Sequence, residues 1–407
     1  MAISKKQNVV KREPAQANVE GIPVGLADPL NDAGREAEVP ASQRRNKAAD
    51  KTTAAPPSRF SLRMTAVMWR SLQYIGMTTH FMAPPRPPSP TFSRNIQSTL
   101  SIKHKGGKIS MLFYTPRGYG RRSSVQQAYP AVVNFHGGGF VLGAGTDDAR
   151  FAHFVTETAG AVFVSVNYRL APEHAFPTAV EDAADALLYL IRNAVELHID
   201  PMRLATSGFS AGGNLSLTSL LRLGEYKRTN SDALPQHRFV ATTTWYPILD
   251  FTLSRAERRA TCKRPDQALP SVFTDLFDAS YLYPPDLDLQ DNYLSPSQAT
   301  DERLARDLPP LILFYTCEWD MLLQEGEDLA RRLGRAPIGK DVHYKMIPGV
   351  PHGWDKSPSP LKPAPGAAEM YRDCCERLKT AFGTDAEVVQ PKDGEGNDSE
   401  YCLLKCI

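Results

Sequence analysis

Short apolar runs alternate with segments of helical periodicity over most of the chain, and this alternation constrains the fold more than any other feature. Strands that are separated by helical segments pair in parallel, and the helices cover both faces of the sheet. We therefore predict an α/β fold built on a mostly parallel sheet. The runs assigned to its strands are rich in β-branched and aromatic residues and span 131–135, 162–166, 203–207, 239–245, 311–315 and 342–347.

Two further patterns extend this prediction. Residues 95–103 and 108–114 flank the short segment 104–107, which predicts a hairpin at an antiparallel edge of the sheet. Thr178 and Glu181 have the T-x-x-E spacing of a capping box, so we expect a helix to begin there. Apolar residues then follow at helical spacing, at Val180, Ala183, Leu187, Ile191 and Ala194.

Composition divides the chain into three parts. Residues 1–57 and 384–407 are polar, so they bury too little apolar surface to offset the cost of ordering, and we expect both to be disordered. Residues 58–383 form the predicted folded domain. Within it, an apolar helical pattern in 58–92 and a Pro-rich, Tyr-rich insertion in 250–305 are expected to form a helical cap. The pattern leaves open whether the first cap helix is a mobile lid or packs on the core.

Charge and cysteine content exclude several classes of function. The 47 basic and 45 acidic residues give a formal net charge of +2, so no strong field favours nucleic acid as a partner. The six cysteines form no C-x-x-C pair and have no metal-ligand spacing. We therefore expect neither a metal nor another cofactor.

The sequence predicts neither a secretory signal nor a transmembrane segment. Residues 1–50 contain no apolar h-region, and the apolar stretch 62–82 is interrupted by Arg63, Arg70 and His80. A spanning helix needs about 18 uninterrupted apolar residues. We therefore expect a cytoplasmic protein, for which a homodimer is compatible with the sequence.

A serine motif follows the third of these runs. Residues 208–212 read Gly-Phe-Ser-Ala-Gly and lie between the strand run 203–207 and the apolar helical stretch 215–223. This is the strand–turn–helix context of a nucleophile elbow, in which glycines allow a turn too tight for side chains. The motif predicts Ser210 as a nucleophile.

A second glycine-rich segment follows the first run. Residues 136–140 read His-Gly-Gly-Gly-Phe, and consecutive glycines leave backbone N–H groups free to approach a developing oxyanion. We predict the N–H groups of Gly138, Gly139 and Ala211 as donors, with Gly137 shaping the turn. A phosphate-binding loop is disfavoured because no G-K-[ST] follows.

A serine nucleophile needs a base, and the base needs an acceptor that fixes its tautomer. His352 lies on a loop just after the last predicted strand, where parallel sheets place their chemistry. His343 falls inside that strand, so its side chain belongs to the sheet. His136 precedes the glycines and suits a hydrogen bond that holds their loop. We therefore assign the base to His352.

The acid should follow a strand between the serine and the histidine in chain order. Asp320 comes shortly after the run 311–315 and just before a predicted helix, and we assign it this role. Glu318 and Glu325 are the rival carboxylates. Either of them could instead cap the helix or pair with an arginine.

With these motifs the chain resembles the hormone-sensitive-lipase-like branch of the α/β hydrolases over about residues 95–382. The resemblance implies an α/β-hydrolase fold with an eight-stranded, mostly parallel sheet and a helical cap, and hydrolysis of short to medium acyl esters without a cofactor. It also supports Asp320. The segments that carry it are HGGGF (136–140), YRLAPE (168–173), DPMR (200–203), GFSAGGN (208–214) and PHG (351–353).

Two residues depart from the pattern of that family. Phe209 stands where the family usually has an acidic residue, and we expect this replacement to change the packing behind the serine. Met321 replaces the proline that often follows the catalytic aspartate. Arg169 and Glu173, which belong to the YRLAPE segment, are predicted to form a structural ion pair beside the site.

The sequence thus favours an enzyme that cleaves a small-molecule ester through Ser210, His352 and Asp320. An arylformamidase or amidase could use the same triad, and only the pocket would distinguish them. A non-catalytic receptor on a hydrolase scaffold is the alternative from another class, but such receptors lose the base, and His352 is present. A lipase with interfacial activation would need a large exposed apolar lid, and we favour an esterase without one.

Overall fold

The fold is described here from a computed structural model, which covers residues 57–101, 106–120, 128–230 and 233–383. The segments 1–57 and 384–407, expected to be disordered, lie outside the described residues except for Pro57. Residues 102–105 of the predicted hairpin lie outside them as well.

A single eight-stranded sheet forms the centre of the described part, in the order β1-β2-β4-β3-β5-β6-β7-β8. β1 and β2 pair antiparallel, β2 also pairs antiparallel with β4, and the remaining neighbours are parallel. The predicted fold class and the antiparallel edge are confirmed, but the first strand of the edge spans 92–97 and not the predicted 95–103. The strands are β1 (Phe92–Gln97), β2 (Lys108–Tyr114), β3 (Tyr129–Phe135), β4 (Val162–Asn167), β5 (Ile199–Phe209), β6 (Phe239–Trp245), β7 (Leu311–Cys317) and β8 (Asp341–Ile347).

Helices cover both faces of the sheet, and every residue of β3 is buried between them. Strands buried on both faces need continuous apolar runs, which is why the parallel strands could be recognised in the sequence. The helices are α1 (Arg59–Met82), α2 (Ala149–Phe154), α3 (Thr178–Arg192), α4 (Ala211–Thr229), α5 (Arg255–Thr261), α6 (Ser271–Tyr281), α7 (Asp301–Asp307), α8 (Leu323–Gly334) and α9 (Ala367–Ala381).

The capping box at the start of α3 was predicted wrongly. Thr178 is the first residue inside the helix, the cap position is Pro177, and no side chain caps the helix there. The Pro177 carbonyl accepts hydrogen bonds from the N–H groups of Val180 and Glu181. Because the first turn closes on the Pro177 carbonyl, the helix starts one residue earlier than the T-x-x-E spacing indicates.

The predicted ion pair between Arg169 and Glu173 is also wrong. Arg169 binds Asp182 on α3 instead, with its Nη2 2.6 Å from Oδ1 of that carboxylate. Glu173 pairs with Arg70 of α1, with Nη2 2.9 Å from Oε2. The two residues are neighbours in sequence, but each is used to tie a different helix to the loop that follows β4.

The first helix and the insertion after β6 pack against each other. Trp69 of α1 contacts Phe273 of α6, with ring centroids 4.6 Å apart, and Arg59 donates to the Ser280 carbonyl at 3.0 Å. The insertion is held to α8 by Arg258 of α5, whose Nε lies 2.7 Å from Oε2 of buried Glu325 on that helix. The assignment of 58–92 and 250–305 to a cap stays a prediction. Among the described residues, no helix is long and apolar enough to cross a membrane.

Candidate active site

Ser210 lies at the turn between β5 and α4, in a backbone conformation that non-glycine residues rarely adopt (φ 55°, ψ −114°). Its N–H donates to the Trp245 carbonyl at 2.8 Å, which holds the turn to β6. The turn is possible only because its neighbours are glycines. A Cβ on Gly208 would lie 1.9 Å from the Gly212 carbonyl oxygen, and one on Gly212 would lie 1.9 Å from that of Phe135. This is the strained elbow that the motif predicts.

The three residues expected to form a triad meet at this turn. His352 Nε2 lies 2.8 Å from Ser210 Oγ, and His352 Nδ1 lies 2.6 Å from Asp320 Oδ2. With Nδ1 donating to the carboxylate, Nε2 is left to accept from the serine hydroxyl. The second oxygen of Asp320 accepts from the Leu322 N–H at 3.0 Å, so both carboxylate oxygens are fixed. Asp320 is buried and His352 is nearly so, which excludes water from their hydrogen bond.

The rival residues are engaged elsewhere. Glu318 accepts from the Gly349 N–H at 2.8 Å and pairs with Lys263. Glu325 is occupied by Arg258 and by the Leu249 N–H, and burial raises its pKa. His343 lies on β8, with Nε2 3.4 Å from Asp373 on α9. None of these three side chains contacts Ser210 or His352 in the described part of the chain.

The glycines after β3 lie directly beside the serine. A Cβ on Gly137 would lie 3.0 Å from the Phe209 carbonyl oxygen and 3.5 Å from the Ser210 Cβ. Gly138 and Gly139 have positive φ angles of 115° and 60°, which favour glycine. The N–H groups of Gly138, Gly139 and Ala211 donate no hydrogen bond to any other described residue. All three donors are therefore free to bind a ligand oxygen.

His136 holds the loop that these glycines form, as predicted. Its Nδ1 lies 2.8 Å from the Gly137 carbonyl, and its ring stacks on Tyr168 with centroids 4.3 Å apart. The Tyr168 hydroxyl in turn donates to the His136 carbonyl at 2.8 Å. Complete burial lowers the pKa of His136 to about 4, so the ring is neutral at physiological pH.

A buried charge cluster behind the elbow was missed by the sequence analysis. Lys356 lies between Asp148 and Asp355, with Nζ 3.0 Å and 2.9 Å from their oxygens. Burial alone would lower the pKa of Lys356, but the two carboxylates raise it above its usual value, so the side chain stays charged. Its ammonium lies 3.3 Å from the centroid of the Phe209 ring, a cation–π contact.

The same cluster reaches the histidine through Tyr246. The Tyr246 hydroxyl donates to Asp355 Oδ1 at 2.6 Å, and its ring packs edge-on against His352 with centroids 4.8 Å apart. Tyr371 also donates to Asp355. Lys356 and Tyr246 carry no sequence motif, and they lie more than 100 residues apart, so only the fold reveals that they belong together.

A narrow cleft with a cavity volume of about 20 Å³ opens at Ser210. Phe277 of α6 lies against Gly139, since a Cβ there would come within 2.2 Å of its ring, and Tyr281 stacks on Phe140 at 3.9 Å. Among the described residues that line the cleft, only Arg255 and Asp278 are charged, and they pair with each other at 2.6 Å. The cleft is lined by Gly139, Phe140, Ser210, Ile248, Phe251, Arg255, Leu269, Phe277, Asp278, Tyr281 and Leu322.

A family model described as alpha/beta hydrolase fold matches residues 132–356, which is more than half of the chain. The chain belongs to this family. The stretch includes the glycine loop, the elbow and the loop that carries His352. The predicted membership of the hormone-sensitive-lipase-like branch is confirmed by the esterases to which this hydrolase is similar.

Curated relatives and solved structures agree on the class of enzyme. The hydrolase is 34% identical over 236 residues to carboxylesterase NlhH of Mycobacterium tuberculosis, covering 56% of this chain and 68% of that protein. It is 31% identical to ethyl acetate hydrolase of Pseudomonas putida, and the match covers 58% of this chain and 69% of that protein. An esterase structure from Pyrobaculum calidifontis matches with a TM-score of 0.63 and 26% identity, covering 83% of this chain and 97% of that one. The hydrolase is a carboxylic ester hydrolase.

Phe209 can be tested by substitution. Its ring is fully buried and stacks on Trp245 at 5.5 Å, so we expect Phe209→Leu to lower the free energy of unfolding by about 1–2 kcal/mol. Phe209→Asp would restore the acidic residue of the family, but Lys356 is already paired with two carboxylates. We therefore expect Phe209→Asp to lower the free energy of unfolding by about 4 kcal/mol, measured by urea denaturation. Equal stability of the two variants would contradict this account of the cluster.

The neutral His136 predicts acid sensitivity. Its pKa in the folded state, about 4, lies below the ordinary value of 6.5, so its contribution is complete above pH 6.5 and is lost as the pH falls towards 4. We expect this residue to account for about 3 kcal/mol of the stability lost over that interval. Urea denaturation at several pH values should show a shallower acid dependence in His136→Gln. The exposed control His153→Gln should keep the wild-type slope, and an unchanged slope in His136→Gln would refute the prediction.

Proposed function

We propose that the hydrolase cleaves carboxylic esters through a Ser210–His352–Asp320 triad and an acyl-enzyme intermediate, with a preference for short to medium acyl chains. The observation that carries the proposal is the continuous pair of hydrogen bonds from Asp320 to His352 and from His352 to Ser210. A serine in a strained elbow with this partner has the arrangement that acyl transfer needs.

Each residue has a defined part in the proposed reaction. His352 Nε2 accepts the Ser210 proton as Oγ attacks the ester carbonyl, and Asp320 stabilises the imidazolium that forms. The N–H groups of Gly138, Gly139 and Ala211 bind the oxyanion, and Gly137 allows their loop to approach the serine. His352 then protonates the leaving alcohol. A water molecule, activated by the same histidine, releases the acid and regenerates the serine.

The cleft supports a preference for small acyl groups. Phe277, Tyr281 and Leu269 narrow it around Ser210, and its wall is mostly apolar. A long acyl chain would have to displace the Phe277 ring from its contact with Gly139. The arylformamidase or amidase alternative uses the same triad, so anilide substrates belong in the same assay series.

We expect Ser210→Ala to lower kcat on p-nitrophenyl acetate by about 10⁵-fold or more, because the nucleophile is lost. Asp320→Asn should lower kcat by about 10³–10⁴-fold, because the amide disfavours the tautomer in which His352 Nδ1 donates a hydrogen bond. Glu318→Gln is the matched control, because Glu318 lies two residues before Asp320 but binds the Gly349 N–H and Lys263 instead of His352. This variant should keep kcat within about threefold of wild type. The assay is the steady-state rate of p-nitrophenol release. A Ser210→Ala variant with wild-type activity would exclude the mechanism.

Phe277 is expected to set the chain-length profile. Phe277→Ala removes the ring beside Gly139 and should shift the optimum of kcat/KM by about two to four methylene groups towards longer acyl chains. The measurement is a p-nitrophenyl ester series from acetate to palmitate. Val272→Ala, an exposed position on the same helix, serves as the control and should keep the wild-type profile. An unchanged profile in Phe277→Ala would show that another residue limits the acyl chain.

A further inference from the structure

His352 is held in the site by its side chain more than by its backbone. It lies on a loop in which Gly349 and Gly353 both have positive φ angles, 69° and 67°. Neither its N–H nor its carbonyl takes part in a backbone hydrogen bond within the described part of the chain. The hydrogen bonds of Nδ1 with Asp320 and of Nε2 with Ser210 therefore fix the imidazole.

One of these two hydrogen bonds is lost during the proposed reaction. When Ser210 Oγ bonds to the acyl carbon, its proton passes to His352 Nε2 and then leaves with the alcohol. In the acyl-enzyme, the ester oxygen of Ser210 has no proton to donate, so the neutral imidazole keeps only its hydrogen bond with Asp320. A ring held at one atom can tilt about that contact, whereas hydrolysis needs Nε2 aimed at the incoming water.

Tyr246 makes a further contact with the imidazole that does not depend on the serine proton. It directly follows β6, it is buried, and its ring packs edge-on against His352 with centroids 4.8 Å apart. Its φ angle is 37°, a value that non-glycine residues rarely adopt, and its N–H donates to the Tyr315 carbonyl at 2.6 Å. A strained backbone that is held in place beside a reactive group indicates a functional constraint.

The Tyr246 ring is anchored at its hydroxyl, which donates to Asp355 Oδ1 at 2.6 Å. Asp355 lies three residues after His352, and its other oxygen accepts from Lys356 at 2.9 Å and from Tyr371. Burial and the nearby Asp355 raise the pKa of Tyr246 well above its usual value, so the hydroxyl stays protonated and can donate. The ring cannot move away from the histidine without breaking a charge-assisted hydrogen bond.

We propose that Tyr246 is a positioning residue for His352, and that its support matters most while the acyl-enzyme is hydrolysed. Tyr246 transfers no proton itself. It limits the tilt of the imidazole at the stage when Ser210 no longer donates to Nε2. This role rests on the proposed function, because only a mechanism with an acyl-enzyme contains such a stage.

The test measures acylation and deacylation separately in Tyr246→Phe, which keeps the ring and removes its anchor. Rapid mixing with p-nitrophenyl acetate gives the acylation rate from the release of p-nitrophenol. Intact mass spectrometry follows the decay of the acetyl-enzyme and gives the deacylation rate. We expect deacylation to slow by about tenfold and acylation to stay within about threefold of wild type, because Ser210 still holds the imidazole before acylation.

The matched control is Tyr315→Phe. The Tyr315 hydroxyl also donates to an aspartate, Asp373, at 2.8 Å, but its ring stacks on Trp245 and not on His352. Both rate constants should stay within about twofold of wild type in this variant. Tyr246→Leu removes the ring as well and should slow deacylation by about 100-fold. Circular dichroism checks the fold of each variant, and the result for Tyr246→Phe decides the test if Tyr246→Leu does not fold.

Two results would overturn the proposal: an unchanged deacylation rate in Tyr246→Phe, or an equal fall of both rate constants, which a general distortion of the site would produce. Failure of the proposed function gives a different result. In that case wild type forms no acyl-enzyme or Ser210→Ala stays active, and the role of Tyr246 fails with it. If wild type forms the acyl-enzyme and Ser210→Ala is inactive, normal deacylation in Tyr246→Phe refutes the positioning role alone.

Discussion

The close approach of three backbone segments at Ser210 is the constraint on which the rest of the site depends. The elbow brings Gly208 and Gly212 so near to neighbouring carbonyls that no side chain fits at either position. The strained φ of the serine is held by the hydrogen bond from its N–H to Trp245. Because Gly137 packs against the same turn, the glycine loop and the nucleophile are positioned by one set of contacts.

Behind this turn, a buried lysine supports both sides of the site. Lys356 pairs with both Asp148 and Asp355, and its ammonium lies over the ring of Phe209, the residue directly before the nucleophile. Asp355 in turn accepts from Tyr246, which packs on His352. Buried charges are costly unless they are paired and hydrogen-bonded, and each member of this cluster has such a partner. The aromatic residue at the elbow therefore fits an environment that already contains two carboxylates.

The first helix shows how a tertiary contact changes the meaning of a sequence pattern. Its apolar residues indicated an amphipathic helix, and the large exposed apolar surface that a lipid-active enzyme needs could not be recognised in them. In the fold, one apolar side packs on α6 and the other faces solvent, because the helix has more apolar residues than one buried face can use. Whether a side chain is buried depends on what packs against it in the fold. The periodicity of the sequence carries no information about that partner.

The sequence by itself determined the strands, the elbow, the glycine loop and the residues 210, 320 and 352, because each has a local signature: continuous apolar runs, glycines required by a tight turn, and polar residues just after strand ends. Only the tertiary structure decided the partners of Arg169 and Glu173, the start of α3 at Pro177, and the cluster around Lys356. The physical reason is that ion pairs and buried charges are chosen by distance in space. Arg169 and Glu173 are only four residues apart in the chain, yet they bind different helices and do not pair with each other.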